Sequence, residues 1–199
     1  MKKFLENKSL WITLIVIVAL GVGSYFWIGY SKTNAVEKAT KKFITAFQKY
    51  DLQAMKDMST NPEASLFKNL EHDKPLYEIC AKNADIRIVN DDNFPIKVRD
   101  DNTATVTLRS TNFNTYAFKY NISKAKGNKK KIKDAISKVK SDRPADVLIQ
   151  LKKVDGKWKI DIEETSVREL LGDVSFWGDV KVTLTGDILK QLKDKLGME

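Results

Sequence analysis

One cysteine and one histidine in 199 residues remove most of the chemistry a chain of this size could carry. Cys80 has no second cysteine to join, so no intrachain disulfide forms and stability has to come from packing. That pattern suits an exported bacterial domain better than an extracellular animal one, where disulfides are the usual reinforcement. His72 lies between Glu71, Asp73 and Lys74 in an expected exposed loop, and Cys80 in an expected apolar turn; neither belongs to a nucleophile signature. No residues have zinc-ligand spacing. The nine glycines are dispersed, with no GxGxxG or GxxxxGK, so a phosphate-cradling loop is excluded. Adjacent acids occur at Asp91-Asp92, Asp100-Asp101 and Glu163-Glu164, all in turn-like surroundings, and Asp91 to Arg99 lacks the acidic spacing and closing Glu of a calcium loop. The expectation is therefore a chain with no catalytic residue, no cofactor and no metal: not an enzyme.

Set against these absences is one long apolar run. Leu10 to Tyr30, LWITLIVIVALGVGSYFWIGY, contains no charged side chain over 21 residues. As a helix it is about 30 Å long, enough to cross a hydrocarbon core. Trp11 at one end and Tyr25, Trp27 and Tyr30 at the other are the amphipathic rings that favour the headgroup zone, so they are the expected membrane-interface anchors. The alternative is a cleaved signal peptide, but such cores are usually about 7 to 15 residues and end at a small-x-small site, whereas this one ends in bulky aromatics. No cysteine follows the run, which excludes bacterial-type lipidation. Lys2, Lys3 and Lys8 against Glu6 make residues 1–9 a short basic tail of the kind held in the cytoplasm. The layout expected is a cytoplasmic tail at 1–9, a transmembrane helix at 10–30, a joint at 31–34 and an extracytoplasmic domain beyond.

The formal charge of +9 is unevenly spread. Residues 1–30 contribute +2 and residues 124–143 contribute +7, so everything else sums to zero. Lys124, Lys126, Lys129, Lys130, Lys131, Lys133, Lys138 and Lys140 make this basic segment a candidate contact for anionic lipid, wall polymer or an acidic protein face. A lysine-rich solvated helix is the plainer reading of the same residues. Nucleic acid is disfavoured by an extracytoplasmic location, and the nearby aromatics suit core packing better than base stacking.

Periodicity orders the rest. Val36, Ala39, Phe43, Phe47 and Tyr50 recur at helical spacing, which predicts a long amphipathic helix over 35–50. Asp51 reads as the N-cap of a short helix with Leu52, Met55 and Met58 inward. Asn61-Pro62-Glu63 and then Pro75 open two more short helices. From Ala84 the pattern alternates, which predicts strands around Ile86 and Ile88, over Phe94 to Arg99, over Thr103 to Ser110, and along Tyr116, Phe118, Tyr120 and Ile122. Lys129 to Lys140 is an expected amphipathic helix inserted before two strands, Ala145 to Val154 and Lys157 to Glu163, which Asp155-Gly156 joins as a hairpin. Val174 to Leu184 has extended character, and Asp187 is expected to cap a last helix that docks on the sheet.

The stretches FITAFQKYDLQAMKDMS (Phe43 to Ser59) and LIQLKKVDGKWKID (Leu148 to Asp161), with the strand order between them, resemble the nuclear transport factor 2-like superfamily over roughly 35–165. The resemblance implies an α+β fold, a long helix and a curved antiparallel sheet forming a cone, here behind the transmembrane helix. The insertion at 124–143 and an extension at 166–199 go beyond a minimal domain. Enzymatic members carry acids and histidines inside the cone, and this chain offers no histidine there. In layout it is similar to the single-pass assembly subunits of type IV secretion and Gram-positive conjugation machines, and to small anchored domains of Gram-positive bacteria. What this implies is a membrane-anchored scaffold or protein-interaction module with protein partners or self-association. The alternative is a surface-facing module for an apolar or peptide ligand, or for anionic lipid or wall polymer.

Overall fold

The computed structural model describes residues 31–198 apart from 73, 101, 112–114, 140–144, 164 and 172–183. The run expected to span the membrane, with Trp11, Tyr25, Trp27 and Tyr30, lies outside the described residues, as do Lys140 and most of the expected extended stretch after Val174. Among the described residues no helix is long and apolar enough to cross a membrane. The chain divides into two units, 1–35 and 36–199, and the second carries the α+β architecture described below.

Helix α1 is described over 31–48. Its inward stripe of Val36, Thr40, Phe43 and Phe47 repeats every three or four residues, and Thr40 satisfies its buried hydroxyl by donating to the Val36 carbonyl at 3.0 Å. Helix α2 (Leu52–Asp57) starts where expected, with the Asp51 carboxylate accepting from the Ala54 N–H at 3.0 Å. Asn61 instead forms a turn, its side chain accepting from the Glu63 N–H, so α3 (Ser65–His72) begins three residues later than the sequence suggested. His72 is exposed in the last turn of α3 instead of a loop. Helix α4 (Lys74–Asn83) completes the N-terminal helices.

The sheet is antiparallel and curled. Strands β1 (Asp85–Val89) and β2 (Lys97–Arg99) share one side of β3 (Thr103–Thr111), pairing with its two halves. Residues 90–96 loop out between them, because the Asp91 carboxylate accepts from the Asn93 and Phe94 N–H groups and Asn90 accepts from that of Ile96. That excursion, together with Pro95, shortens the expected strand Phe94 to Arg99 to three residues. On the other side β3 pairs with β4 (Ala145–Val154), which pairs with β5 (Lys157–Ile160) through the expected turn. Asp155 and Gly156 both have positive φ, 50° and 74°, as a two-residue hairpin of this twist requires. A single parallel bridge from Ser59 covers the outer edge of β5.

Between β3 and β4 stand two helices, α5 (Thr115–Ala125) and α6 (Lys129–Ser137). The first overturns the strand expected along Tyr116, Phe118, Tyr120 and Ile122. Those residues do alternate, but the buried set is Thr115, Phe118, Ile122 and Ala125, whose spacing of three, four and three is helical, while Tyr120 is 45% exposed. Helix α7 (Thr165–Leu170) follows β5, and α8 (Gly186–Leu196) ends the chain with Thr185 as its N-cap and Asp187 inside its first turn.

Two cores result. The larger joins α1, α2, α3 and α7 to the inner face of the sheet through Phe43, Phe47, Phe67, Val106, Ile149, Leu151 and Ile160. The smaller joins α4, α5, α6 and α8 through Ile79, Cys80, Phe118, Ile122, Ile136 and Leu192. Helix α4 is the shared wall, with Tyr77 and Ala81 facing the larger core and Leu76, Ile79 and Cys80 the smaller. The last helix therefore docks on α4 and α6 and not on the sheet, as Ile188 and Leu192 fit the apolar wall that α5 and α6 build.

Candidate functional site: a basic four-helix unit

The smaller core organises the charge of the molecule. Residues 74–83, 115–138 and 186–196 contain thirteen lysines, four carboxylates and no arginine. Their balance is +9, and since residues 1–30 carry +2 the rest of the chain sums to −2. The packing of apolar stripes inward leaves the lysines on the outside of all four helices.

Within α6 the Asn128 side chain caps the helix by accepting from the Lys131 N–H at 3.1 Å. Ile132, Ala135 and Ile136 turn toward the core, which puts Lys129, Lys130, Lys131 and Lys133 in solvent. The only acid of the helix, Asp134, pairs with Lys138 at 2.8 Å, leaving that cluster without local neutralisation from within α6. Lys124 ends α5 with its ammonium 5.3 Å from the centroid of Tyr120, and Lys126 takes a left-handed conformation (φ 47°) in the turn between the helices. Seven of the eight lysines singled out from the sequence are thus exposed on one helical hairpin, and Lys140 is outside the described residues.

Alongside α4 and α8 runs a groove of about 300 Å³, lined by Pro75, Glu78, Ile79, Lys82, Gly186, Leu189, Lys190, Lys193 and Met198. Lys82 donates to the Glu78 carboxylate at 2.6 Å. That hydrogen bond, helped by the charges of Lys82, Lys74 and Lys193, holds the Glu78 carboxyl below its ordinary range against the opposing effect of burial. Nothing in the sequence announces this groove, since it depends on where α8 docks.

The outer face of the sheet is polar, with threonines at Thr103, Thr105 and Thr107. Arg109 on β3 forks onto Asp146 on β4 with two hydrogen bonds of 2.8 and 2.9 Å. This bond holds the Asp146 carboxyl below, and the guanidinium above, the ordinary value. Leu148 is 56% exposed on the same face. Its signal was present in the sequence, an apolar residue out of phase with Val147, Ile149 and Leu151.

The acid/base candidates are scattered. Cys80 is fully buried in the smaller core, while His72 is exposed at the end of α3. Asp91 is used in the 90–96 loop, Asp100 sits in a turn with positive φ, and Glu163 accepts from Asn61 at 2.6 Å. Among the described residues no group of three His, Cys, Asp or Glu side chains could hold a metal ion. What fold and surface define is an α+β domain with one strongly cationic helical side. No family model, no curated protein and no solved structure matches the chain.

Proposed function

We propose that this chain is a non-catalytic, membrane-tethered binding module of the nuclear transport factor 2-like kind, which presents its basic four-helix unit to a phosphate-rich anionic surface on the extracytoplasmic side. The observation that carries the reading is the concentration of a charge of +9 on four helices that share one core, beside a slightly acidic body. The kind of cation decides the kind of partner. Protein interfaces favour arginine and are depleted in lysine, because guanidinium docks in a fixed fork while ammonium is a strongly hydrated point charge. Thirteen lysines without an arginine suit a diffuse, salt-sensitive hold on lipid headgroups or wall polymer.

The test uses the full chain in nanodiscs of zwitterionic lipid, offered a soluble polyglycerol phosphate. Binding is expected to weaken by about tenfold or more between 50 and 200 mM salt, and again on replacing Lys129, Lys130, Lys131 and Lys133 with Gln. Binding indifferent to both overturns the reading.

A second reading has its own support in the exposed Leu148 and the Thr-rich outer sheet face, which offer a surface for a protein partner in a membrane assembly such as a secretion or conjugation machine. Crosslinking in intact membranes through a photoreactive residue at position 148 is expected to recover a discrete protein product. Its absence at 148 sinks this second reading alone.

A further inference from the structure

The groove between α4 and α8 combines two chemistries that the basic hairpin lacks. Its floor is apolar, built from Pro75, Ile79 and Leu189, with Met198 as one wall. Its rim carries Lys82 from one helix and Lys190 and Lys193, one turn apart, from the other. Glu78 offsets one of these charges through its pair with Lys82, so the rim keeps a net +2.

The wall formed by Met198 is built by the way α8 closes. Gly197 takes a left-handed conformation (φ 68°), and the Met198 N–H donates back to the Lys193 carbonyl at 3.0 Å. This closure of a helix C-terminus folds the following residue onto the last turn, and only glycine enters it without a side-chain penalty. Met198 is thereby brought over the apolar floor, where its unbranched thioether can adapt to a varied alkyl chain. At roughly 30 Å³ for a water-sized group, 300 Å³ accepts about ten heavy atoms. That is one short chain and not the two of a bilayer lipid.

We infer that this groove binds a single-chain anionic amphiphile, its alkyl chain on Ile79, Leu189 and Met198 and its carboxylate or phosphate head between Lys190, Lys193 and Lys82. The inference stands on the groove alone and does not depend on what the hairpin contacts.

The experiment takes the full chain in zwitterionic nanodiscs with the methionine methyl groups labelled with ¹³C. Decanoate, decyl phosphate and decanol are each titrated, and the methyl resonances of Met198 and Met55 are followed. Met198 is expected to shift saturably with decanoate or decyl phosphate and not with decanol, while Met55, buried in the larger core, stays put. Stronger binding of one anionic probe identifies the head as carboxylate or phosphate. In the double variant Lys190→Gln, Lys193→Gln the apparent affinity is expected to fall at least about tenfold, with an unchanged Met55 signal reporting an intact fold. Equal shifts from decanol and decanoate, a double variant that binds as before, or a Met198 signal that never moves would each overturn the inference. The Lys129 to Lys133 replacements leave this titration unchanged if the two sites are separate, so a failed polymer assay and a failed amphiphile assay are told apart.

Discussion

Tyr50 sits where a glycine would be expected. Helix α1 closes with the Asp51 N–H donating to the Ala46 carbonyl and the Tyr50 N–H to that of Phe47, which places Tyr50 at φ 56°. A left-handed conformation costs a side-chain-bearing residue about 1–2 kcal/mol, so something must repay it. The phenol donates to the carbonyl of Leu70 on α3, tying the end of α1 to a helix twenty residues on, and the ring packs on the larger core. Tyr50→Phe keeps the ring and removes that bond. It is expected to lower stability by about 1 kcal/mol in urea unfolding of the full chain. At this scale the sequence announced the Asp51 cap and the Asp155-Gly156 turn, because both rules are local. Tyr50 was readable only as one more apolar residue of the stripe, since its partner lies on a different helix. The carboxylates carry a second expectation. Asp146 and Glu78 have folded-state pKa values below the ordinary ones, Asp146 chiefly through the Arg109 hydrogen bond and Glu78 chiefly through that of Lys82. A lowered pKa means stability that is fully present above about pH 4 and is lost as pH falls through the depressed value. Both groups are partly exposed, so solvent screens the effect. Asp146→Asn should lower stability slightly at neutral pH and make its fall below pH 4 shallower, so that the two stability curves converge in acid. An acid limb identical to that of the parent would remove Asp146 from this role.

Among the elements, α5 separates the two ways its sequence can be read. Phe118, Tyr120 and Ile122 would share one face of a strand, so each would cost a comparable amount when truncated. In the helix only Phe118 and Ile122 point inward, four residues apart, while Tyr120 stands in solvent under Lys124. Ile122→Ala is therefore expected to cost about 2–5 kcal/mol and Tyr120→Ala no more than about 0.5 kcal/mol, measured by the same unfolding assay. Equal losses at 120 and 122 would restore the strand. Alternation misled here because four apolar residues at spacing two also contain a pair at spacing four, and the deciding positions, Thr115 and Ala125, are too small to weigh in a hydropathy pattern. The strands β3 and β4 were legible for the opposite reason. Ala104, Val106 and Leu108 alternate with threonines, and Ile149 and Leu151 with exposed residues, so no helical subset competes. Sheet register follows from those faces: Val106 lies opposite Ile149 and Ala104 opposite Leu151, which puts both inner rows against α1.

At the scale of the molecule, charge and core size are set against each other. The four-helix unit has the smaller core and a charge of +9, so mutual repulsion of its lysines opposes its packing, whereas the sheet body is slightly acidic with a larger core. The charge imbalance could be located in the sequence by counting. Its confinement to one packed unit could not, because that required α5 to be a helix and α8 to leave the sheet for α4 and α6. Uneven stability follows from the same imbalance. Amides of α5, α6 and α8 are expected to exchange hydrogen through a partial opening that leaves β3 and β4 protected, with α4 intermediate because it lines both cores. Salt distinguishes this electrostatic cause from a merely loose core. Raising sodium chloride from 50 to 500 mM shortens the screening length from about 14 Å to about 4 Å, which relieves lysine repulsion across the unit. Exchange in α6 and α8 should then slow severalfold while β3 and β4 hold their rates, in full-chain samples kept in zwitterionic nanodiscs at constant pH. Uniform rates across the two cores, or a four-helix unit whose exchange ignores salt, would mean that its lysines are too well solvated to strain the fold. In that case a partner that neutralised them would bring no stabilisation of its own. If the salt response is present, a bound polyanion should slow the same amides at low salt, because it removes the same repulsion that dissolved ions screen.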